Sequence, residues 1–420
     1  VKRTLAEWLA FIERQHPQSI ALGLERVKQV WERMQLRLPS PVITVGGTNG
    51  KGSTCAMLES ILDASGRRTG LYTSPHLVSY NERVRVAGAE ASDDALCIGF
   101  EAVEDARKGV PLTYFEYGTL GALQAFSRAD LDVLILEVGL GGRLDAVNVI
   151  DADCAILTSV DIDHVDYLGP DRESIGREKA GIFRPYRPAV IAEPHPPHSV
   201  LGAVGSKLVF GQDFGFERQD GQWTYWGPRG RRAGLAHPAL RGAIQLRNAS
   251  AVLCALDALE LPVAAQEIRR GLAEVTLAGR FQVLPGRPQV ILDVAHNVEA
   301  AKVLAENLFV SGYAKETIAV CGMLRNKDIA GVLRALAPRV TRWHFASLAG
   351  PRGASAEDLE HHLRSVDASA PAQKFPAPAA ALAAARERAG EGDKIVVFGS
   401  FLTVGEAMAW LKNNNKTSKR

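Results

Sequence analysis

Lys51 sits in VITVGGTNGKGSTC, Val42 to Cys55, where glycines precede a lysine and hydroxyl residues follow it. That composition suits phosphate chemistry: the amides of a glycine turn cradle phosphate oxygens and the lysine reaches the terminal ones. The spacing departs from G-x-x-x-x-G-K-[ST], because Val45 stands where the first glycine belongs and Gly52 where the hydroxyl belongs. Ser53 and Thr54 bring the hydroxyls one place late. The β-branched run Val42–Val45 predicts a buried strand and Ser53–Ala64 predicts a helix, so the turn opens on a helix N-terminus that favours an anion. The plainer alternative is a tight glycine turn with no ligand.

Other polar residues end apolar runs, where open α/β sheets keep their chemistry. Glu137 ends LDVLILE, Ser74 and His76 follow GLYT, and His164 follows CAILTSVDID. Together they offer a serine oxygen, a carboxylate and an imidazole; magnesium prefers oxygen, so a hydrogen-bonded structural role is the alternative for His164. After Glu137 comes GLGGRLD, whose glycines permit close backbone approach and whose Arg143 and Asp145 are candidate ligand contacts. Lys179, in ESIGREKAGIF, is either a surface lysine or an amine made neutral and reactive by its surroundings. Later in the chain DVAHN, Asp293–Asn297, joins a strand to a helix: Asp293 is a candidate for ribose hydroxyls, and His296 for a substrate or phosphate, or for a helix cap. Arg280, in AGRF, is a candidate phosphate contact or an exposed linker residue.

The elements that must hold these residues read as α/β. Strands are predicted at Val42–Val45, Gly70–Tyr72, Val133–Val138 and Cys154–Thr158, the centre of a mostly parallel sheet. From Ala192 to Gly230 the chain turns to Pro, Gly and aromatic residues, which predicts short strands and loops. Gln245–Leu259 reads as a helix. The Pro- and Gly-containing stretch Leu284–Pro288 is the expected hinge, giving domains of residues 1–284 and 285–420. Beyond it, VILDV, TIAVCGM, TRWHFA and KIVVFGS alternate with helical stretches, the last of them Ala-rich, the rhythm of a smaller Rossmann-like α/β domain.

Composition narrows the function. The 420 residues carry 49 basic and 47 acidic side chains, so neither nucleic acid nor a membrane surface is expected as a partner. The 5 cysteines lie far apart with no C-x-x-C pair, which fits reduced thiols and a cytoplasmic enzyme. No run approaches the length needed to span a bilayer.

GTNGKGS, YTSPHLVSYNERVRV, LTYFEYGT, ILEVGLGGRLDAVN, DHVDYLG, ESIGREKAGIF, AGRFQ and DVAHN, in this order, resemble the bacterial folylpolyglutamate synthase and dihydrofolate synthase family of the Mur ligase superfamily. The likeness runs from LGLERV to GSF. It implies a P-loop ATPase domain and a Rossmann-like C-terminal domain, and an ATP-dependent acid-amino-acid ligase that joins L-glutamate to dihydropteroate and to folates through an acyl phosphate. Carried over residue by residue, it implies that Thr48, Asn49, Gly50, Lys51, Gly52 and Ser53, with Asn248, Arg280 and Asp293, bind ATP. Ser74, Glu137 and His164 resemble the magnesium ligands, with K+ as a second candidate cation. Lys179 matches a lysine carried as a carbamate. The pterin side is expected at Ile20, Ala21, Leu22 and Gly23, at Thr113, Tyr114, Phe115 and Glu116, and at Leu144, Asp145 and Ala146. Lys51, Lys179 and His296 are the expected catalytic set, with His296 and Ser400 near glutamate. ATP is expected between the domains, completed by closure of the second. Val298 replaces the proline usual after DVAHN, which touches only the start of a helix.

Three alternatives accompany this reading. A peptidoglycan ligase would carry a separate nucleotide-sugar domain, whereas only about forty residues precede the loop here. A monofunctional folylpolyglutamate synthase differs only in acceptor. A nucleotide-binding regulator without catalysis would have little use for Lys51, Glu137, His164 and Lys179 together. A monomer is expected.

Overall fold

The runs VITVG and VLILE are buried at every position. A strand buried on both faces needs cover on both sides of its sheet, which parallel sheets obtain from the helices that connect their strands. The computed structural model, which describes residues 3–18, 20–219, 221–242 and 244–417, realises this architecture. In chain order β1 (Val42–Gly46), β2 (Thr69–Tyr72), β3 (Val84–Val86), β4 (Ala89–Glu90), β5 (Val133–Glu137), β6 (Cys154–Leu157), β7 (Pro188–Ile191) and β8 (Ser206–Val209) build one eight-stranded sheet. Its order is β4-β3-β2-β5-β1-β6-β7-β8. All pairs from β2 to β8 are parallel, while β3 and β4 return antiparallel at one edge. β1 thus lies between β5 and β6, and the connections leaving it diverge, the arrangement that opens a crevice at the carboxyl ends of the strands.

The chain divides into two compact units. The larger comprises Val1–His76, Tyr80–Ala239 and Ala243–Thr276; the smaller comprises Leu77–Ser79, Leu240–Gly242 and Leu277–Arg420. Within the larger unit the aromatic segment expected to form short strands makes an antiparallel meander of β9 (Gly215–Gln219), β10 (Gln222–Gly227) and β11 (Gly230–Leu235). It is fastened to the helix Ile244–Ala258: buried Asp257 accepts from Tyr225 Oη at 2.9 Å and from Arg232 Nη2 at 2.6 Å.

The smaller unit has its own sheet, β12 (Gln282–Leu284), β13 (Gln289–Leu292), β14 (Thr317–Cys321), β15 (Arg342–Ala346), β16 (Ala372–Phe375) and β17 (Lys394–Phe398), in the order β12-β13-β17-β14-β15-β16. Leu284–Pro288, expected as a hinge, instead joins β12 to its antiparallel neighbour β13 inside this unit. A short Pro/Gly connection serves a tight turn between paired strands as well as a linker. Between TRWHFA and the Ala-rich helix Pro378–Arg388 the structure adds a helix, Ala356–Val366, and the strand β16. The sequence rhythm passed over β16 because its AQKF carries the polar, exposed residues of an edge strand. All five cysteines are unpaired; Cys55, Cys154, Cys254 and Cys321 are buried and Cys97 is half-buried. Among the described residues no helix is long and apolar enough to cross a membrane.

Candidate active site at the carboxyl ends of the strands

β1 delivers the chain into the turn Gly47–Gly50, and the helix Lys51–Ala64 starts immediately after it. Two glycines make the turn possible. Gly47 holds φ +146°, and a side chain there would run into Thr158; Gly50 holds φ +89°, and a Cβ would lie 3.1 Å from Asn248 Oδ1. The segment after β6 fastens the turn: Thr48 N donates to Ser159 O at 2.9 Å, Asn49 N to Ser159 Oγ at 3.0 Å, and Thr158 Oγ1 to Asn49 O at 2.7 Å. Lys51 Nζ bends back over the turn, donating to Gly47 O at 2.9 Å and Thr48 O at 3.2 Å. Gly52 and Ser53 are buried in the first helical turn. Asn248 comes from the helix Ile244–Ala258; its Nδ2 donates to Gln245 Oε1 at 3.1 Å, while its buried Oδ1 meets no donor among the described residues. An orphaned carbonyl oxygen facing Gly50 fits a ligand with hydrogen-bond donors.

Glu137 ends β5 with its side chain buried, and Oε2 accepts from Ser74 N at 3.1 Å. It is close enough to the helix Lys51–Ala64 to push up the thiol of Cys55, after burial, the main cause. His164 adopts φ +52° at the start of the short helix Val165–Leu168, with Nε2 3.8 Å from Asp163 Oδ2. Among the described residues no three His, Cys, Asp or Glu side chains gather to hold a metal alone. A hard cation beside Glu137 would accordingly draw on the serine hydroxyl and on substrate oxygens, a donor set that suits magnesium.

Lys179 is not on the surface. It lies buried in the last turn of the helix Arg172–Ala180, and its pKa falls to about 7, because of burial first and the Lys51 charge second, against the pull of Asp163 and Asp145. The glycines before Asp145 let this helix approach: a Cβ on Gly142 would lie 2.8 Å from the carbonyl oxygens of Glu178 and Lys179. Arg143 is spent on that approach, pairing with Glu178 at 3.0 Å. Asp145 is buried and titrates near 7; burial raises it, while the amides of Leu140 and Val147, at 2.8 and 3.0 Å, oppose.

The three expected pterin segments converge. Gly23 N donates to Leu144 O at 3.4 Å, joining Ile20–Gly23 to Leu144–Ala146. Arg26 joins them to the third, donating from Nη2 to Ala21 O at 2.7 Å and to Glu116 Oε1 at 2.8 Å. In the sequence Arg26 carries no mark beyond its place in LGLERV. Glu116 also closes a capping box with Thr113 at the head of the helix Tyr114–Ser127, so its carboxylate has a structural task as well. Phe115 packs against Gly139, and its ring lies 5.9 Å from that of Tyr72.

Arg280, Asp293, His296 and Ser400 belong to the smaller unit. Asp293 accepts from the amides of Phe281 and Ala295, both at 2.8 Å; burial raises its pKa and Arg280 opposes. The Arg280 guanidinium lies 5.6 Å and the His296 ring 6.3 Å from the Phe401 ring. His296 Nδ1 donates to Val294 O at 2.8 Å. Asn297, not His296, caps the following helix, accepting from Ala300 N at 2.9 Å, and the helix begins at Val298 without need of proline. Ser400 Oγ lies 2.7 Å from Thr403 Oγ1 and accepts from Thr403 N, capping the next helix.

Comparison with known proteins adds names to this arrangement. The Mur ligase middle domain matches residues 45–196, and the Mur ligase glutamate ligase domain matches residues 279–401. The dihydrofolate synthase/folylpolyglutamate synthase of Escherichia coli K12 is 46% identical over 97% of both chains, and that of Haemophilus influenzae 43% over 96% of this chain and 97% of its own. A solved structure of E. coli FolC in complex with DHPP and ADP is 45% identical and superposes with a TM-score of 0.93 over 98% of this chain and 99% of its own. A bifunctional folylpolyglutamate synthase/dihydrofolate synthase solved with Mn, AMPPNP and L-glutamate is 46% identical, with a TM-score of 0.90 over 98% of each chain.

Proposed function

The chain belongs to the dihydrofolate synthase/folylpolyglutamate synthase family of Mur ligases, and on that premise we propose how its own residues work as an ATP-dependent glutamate ligase. The enzyme joins L-glutamate to dihydropteroate, giving dihydrofolate, and to folates, giving polyglutamates. A carboxylate is a poor electrophile, so ATP first phosphorylates it: an acceptor oxygen attacks the γ-phosphorus and ADP departs. The glutamate amine then attacks the acyl carbon, a C–N bond forms, phosphate leaves and the amine gives up a proton.

The observation that carries this reading is the gathering of Lys51, Glu137, Lys179 and Asp145 around the carboxyl ends of β1 and β5, beside a wall assembled from three separate segments. Thr48 to Ser53 and Asn248 hold the nucleotide, with Lys51 exchanging its two loop carbonyls for phosphate oxygens, while Arg280 and Asp293 serve its sugar and phosphates. Ile20–Gly23, Thr113–Glu116 and Leu144–Ala146 hold the pterin. A divalent cation accompanies ATP; we take it to be Mg2+, which Ser74, Glu137 and His164 would hold and which would neutralise phosphate charge there. K+ is a second candidate cation. His296, whose ring is oriented by the bond from Nδ1 to Val294 O, serves the glutamate, with Ser400 close to it. Lys179 is the residue whose neutral amine takes up CO2 as a carbamate, an anion that steadies the cation and Lys51. A monomeric state and a cytoplasmic location complete the proposal, to be checked by light scattering and by cell fractionation.

The test is phosphate release from purified protein with Mg2+, ATP and glutamate, comparing dihydropteroate with tetrahydrofolate. Release with both is expected. Release with tetrahydrofolate alone would restrict the enzyme to polyglutamylation, and ATP binding without turnover under either condition would leave a nucleotide-binding regulator.

A further inference from the structure

Arg83 is a cation that none of the roles above uses. It ends the single-turn helix Tyr80–Arg83 and is only 9% exposed. Buried guanidinium groups normally lie against carboxylates, since an uncompensated charge inside a protein is costly. Arg83 breaks that pattern. Its Nε donates to His76 Nδ1 at 2.8 Å, and among the described residues it makes no ion pair and its terminal nitrogens meet no acceptor. Its Cζ lies 5.3 Å from the ring centre of Tyr80 and 5.6 Å from that of Tyr114. The bond to His76 and the two rings hold the guanidinium in place, leaving its outer N–H groups as a fork. That is the geometry that binds a carboxylate through two parallel hydrogen bonds.

The neighbours say which carboxylate. Tyr114 belongs to the wall Thr113–Glu116, and His76 is two residues beyond Ser74, whose amide binds Glu137. Arg83 therefore bridges the surface expected to hold the heterocycle and the loop that reaches the metal and phosphate side. A substrate lying on the first and reacting at the second must pass its carboxyl end between them. The charge of Arg83 also bears on Tyr72, Tyr80 and Tyr114, whose phenols burial raises and Arg83 lowers.

We propose that Arg83 is the receptor for a carboxylate of the pterin acceptor, its fork aimed by His76, Tyr80 and Tyr114. The inference rests on the ligase reading above and deepens it, because it separates how the acid end is held from how the heterocycle is held. Arg83 binds the anion; His76 acts through it as a positioning residue.

The experiment compares the binding of dihydropteroate and of its carboxamide, in which the anion is replaced by a neutral group of the same shape. Calorimetry is run on the wild type, Arg83→Ala, Arg83→Gln and Arg83→Lys. The wild type should prefer the carboxylate by about 10-fold or more, the discrimination expected of a charged hydrogen-bonding partner. Arg83→Ala and Arg83→Gln should bind both ligands alike, Arg83→Lys should retain part of the preference, and the KM for ATP should stay within about 2-fold. Arg83→Gln carries the argument if the alanine variant fails to fold, because it keeps bulk and hydrogen bonding while losing the charge. Retention of the carboxylate preference in the variants would overturn the inference, as would an equal loss of both ligands or a rise confined to the KM for ATP. A wild type with no glutamate-dependent turnover would overturn the ligase reading itself, whereas an active wild type with variants that still discriminate would overturn the role of Arg83 alone.

Discussion

Replacing Lys179 with methionine should stabilise the protein while abolishing its activity. The lysine is buried and its pKa falls to about 7 from an ordinary 10.5, with burial the largest cause and Lys51 the next. In the unfolded chain the amine holds its proton up to pH 10.5, but in the folded chain only up to about 7. Between those values unfolding takes up a proton, so stability rises with pH across this window. Lys179 is thus a burden fully present below pH 7, amounting to roughly 5 kcal/mol, and absent above 10.5. At pH 8 the burden is roughly 3 kcal/mol. Methionine has similar length and no charge to desolvate. In CO2-free buffer, urea unfolding should show Lys179→Met ahead by about that amount at pH 8, with the gap narrowing by about 1.4 kcal/mol per pH unit toward pH 10. The same depressed pKa leaves the amine about 90% neutral at pH 8, roughly 300-fold more than an ordinary lysine, and only the neutral amine adds CO2. Bicarbonate should accordingly stabilise the wild type and leave Lys179→Met unmoved. A gap that does not vary with pH, or a methionine variant less stable than wild type, would refute the argument from burial. An active Lys179→Met would refute the carbamate.

Two further outcomes follow from buried carboxylates. Glu137→Gln should leave the circular dichroism spectrum intact and lower turnover roughly 100-fold or more, because the charge stabilisation supplied by a bound metal is worth several kcal/mol; near-normal activity across a magnesium titration would move the metal elsewhere. Arg26→Ala leaves Glu116, whose side chain is 4% exposed, without its partner at 2.8 Å. With Arg26 itself one quarter exposed, the expected loss is about 2 kcal/mol in urea unfolding. A rise in the KM for acceptor but not for ATP should accompany it, and unchanged acceptor kinetics would remove Arg26 from the pterin wall.

What the sequence makes legible is what short-range chemistry dictates. Val42–Gly46 and Val133–Glu137 declare themselves as central strands because burial on both faces demands unbroken apolar residues. Gly47 and Gly50 mark a turn because only glycine tolerates their backbone angles without strain. Contacts between distant segments leave no such trace. Nothing local distinguishes Arg26, which bonds a residue 90 positions further on, from any helical arginine. Arg83 lies inside a recognisable motif, yet that it makes no ion pair among the described residues is a property of the folded surroundings alone. The same limit explains Leu284–Pro288: proline and glycine announce a change of direction, while whether the chain turns back on its neighbour or leaves for another domain depends on strands that pair with it later.

The cysteines carry a practical consequence. Four of the five thiols are buried, and burial pushes each of those four well up from its ordinary range. Cys97, on the helix Asp93–Arg107, is the thiol with partial access to solvent, and burial and the nearby acids Asp93 and Asp94 make it slow to react rather than inert. A maleimide dye applied at mildly alkaline pH should therefore mark the larger unit at one known point without removing any native cysteine. One cysteine introduced on an exposed face of the smaller unit would add the second point. The natural protein is in this sense already half prepared for a fluorescence ruler, with which the separation of its two units could be followed as nucleotide, acceptor and glutamate are added in turn.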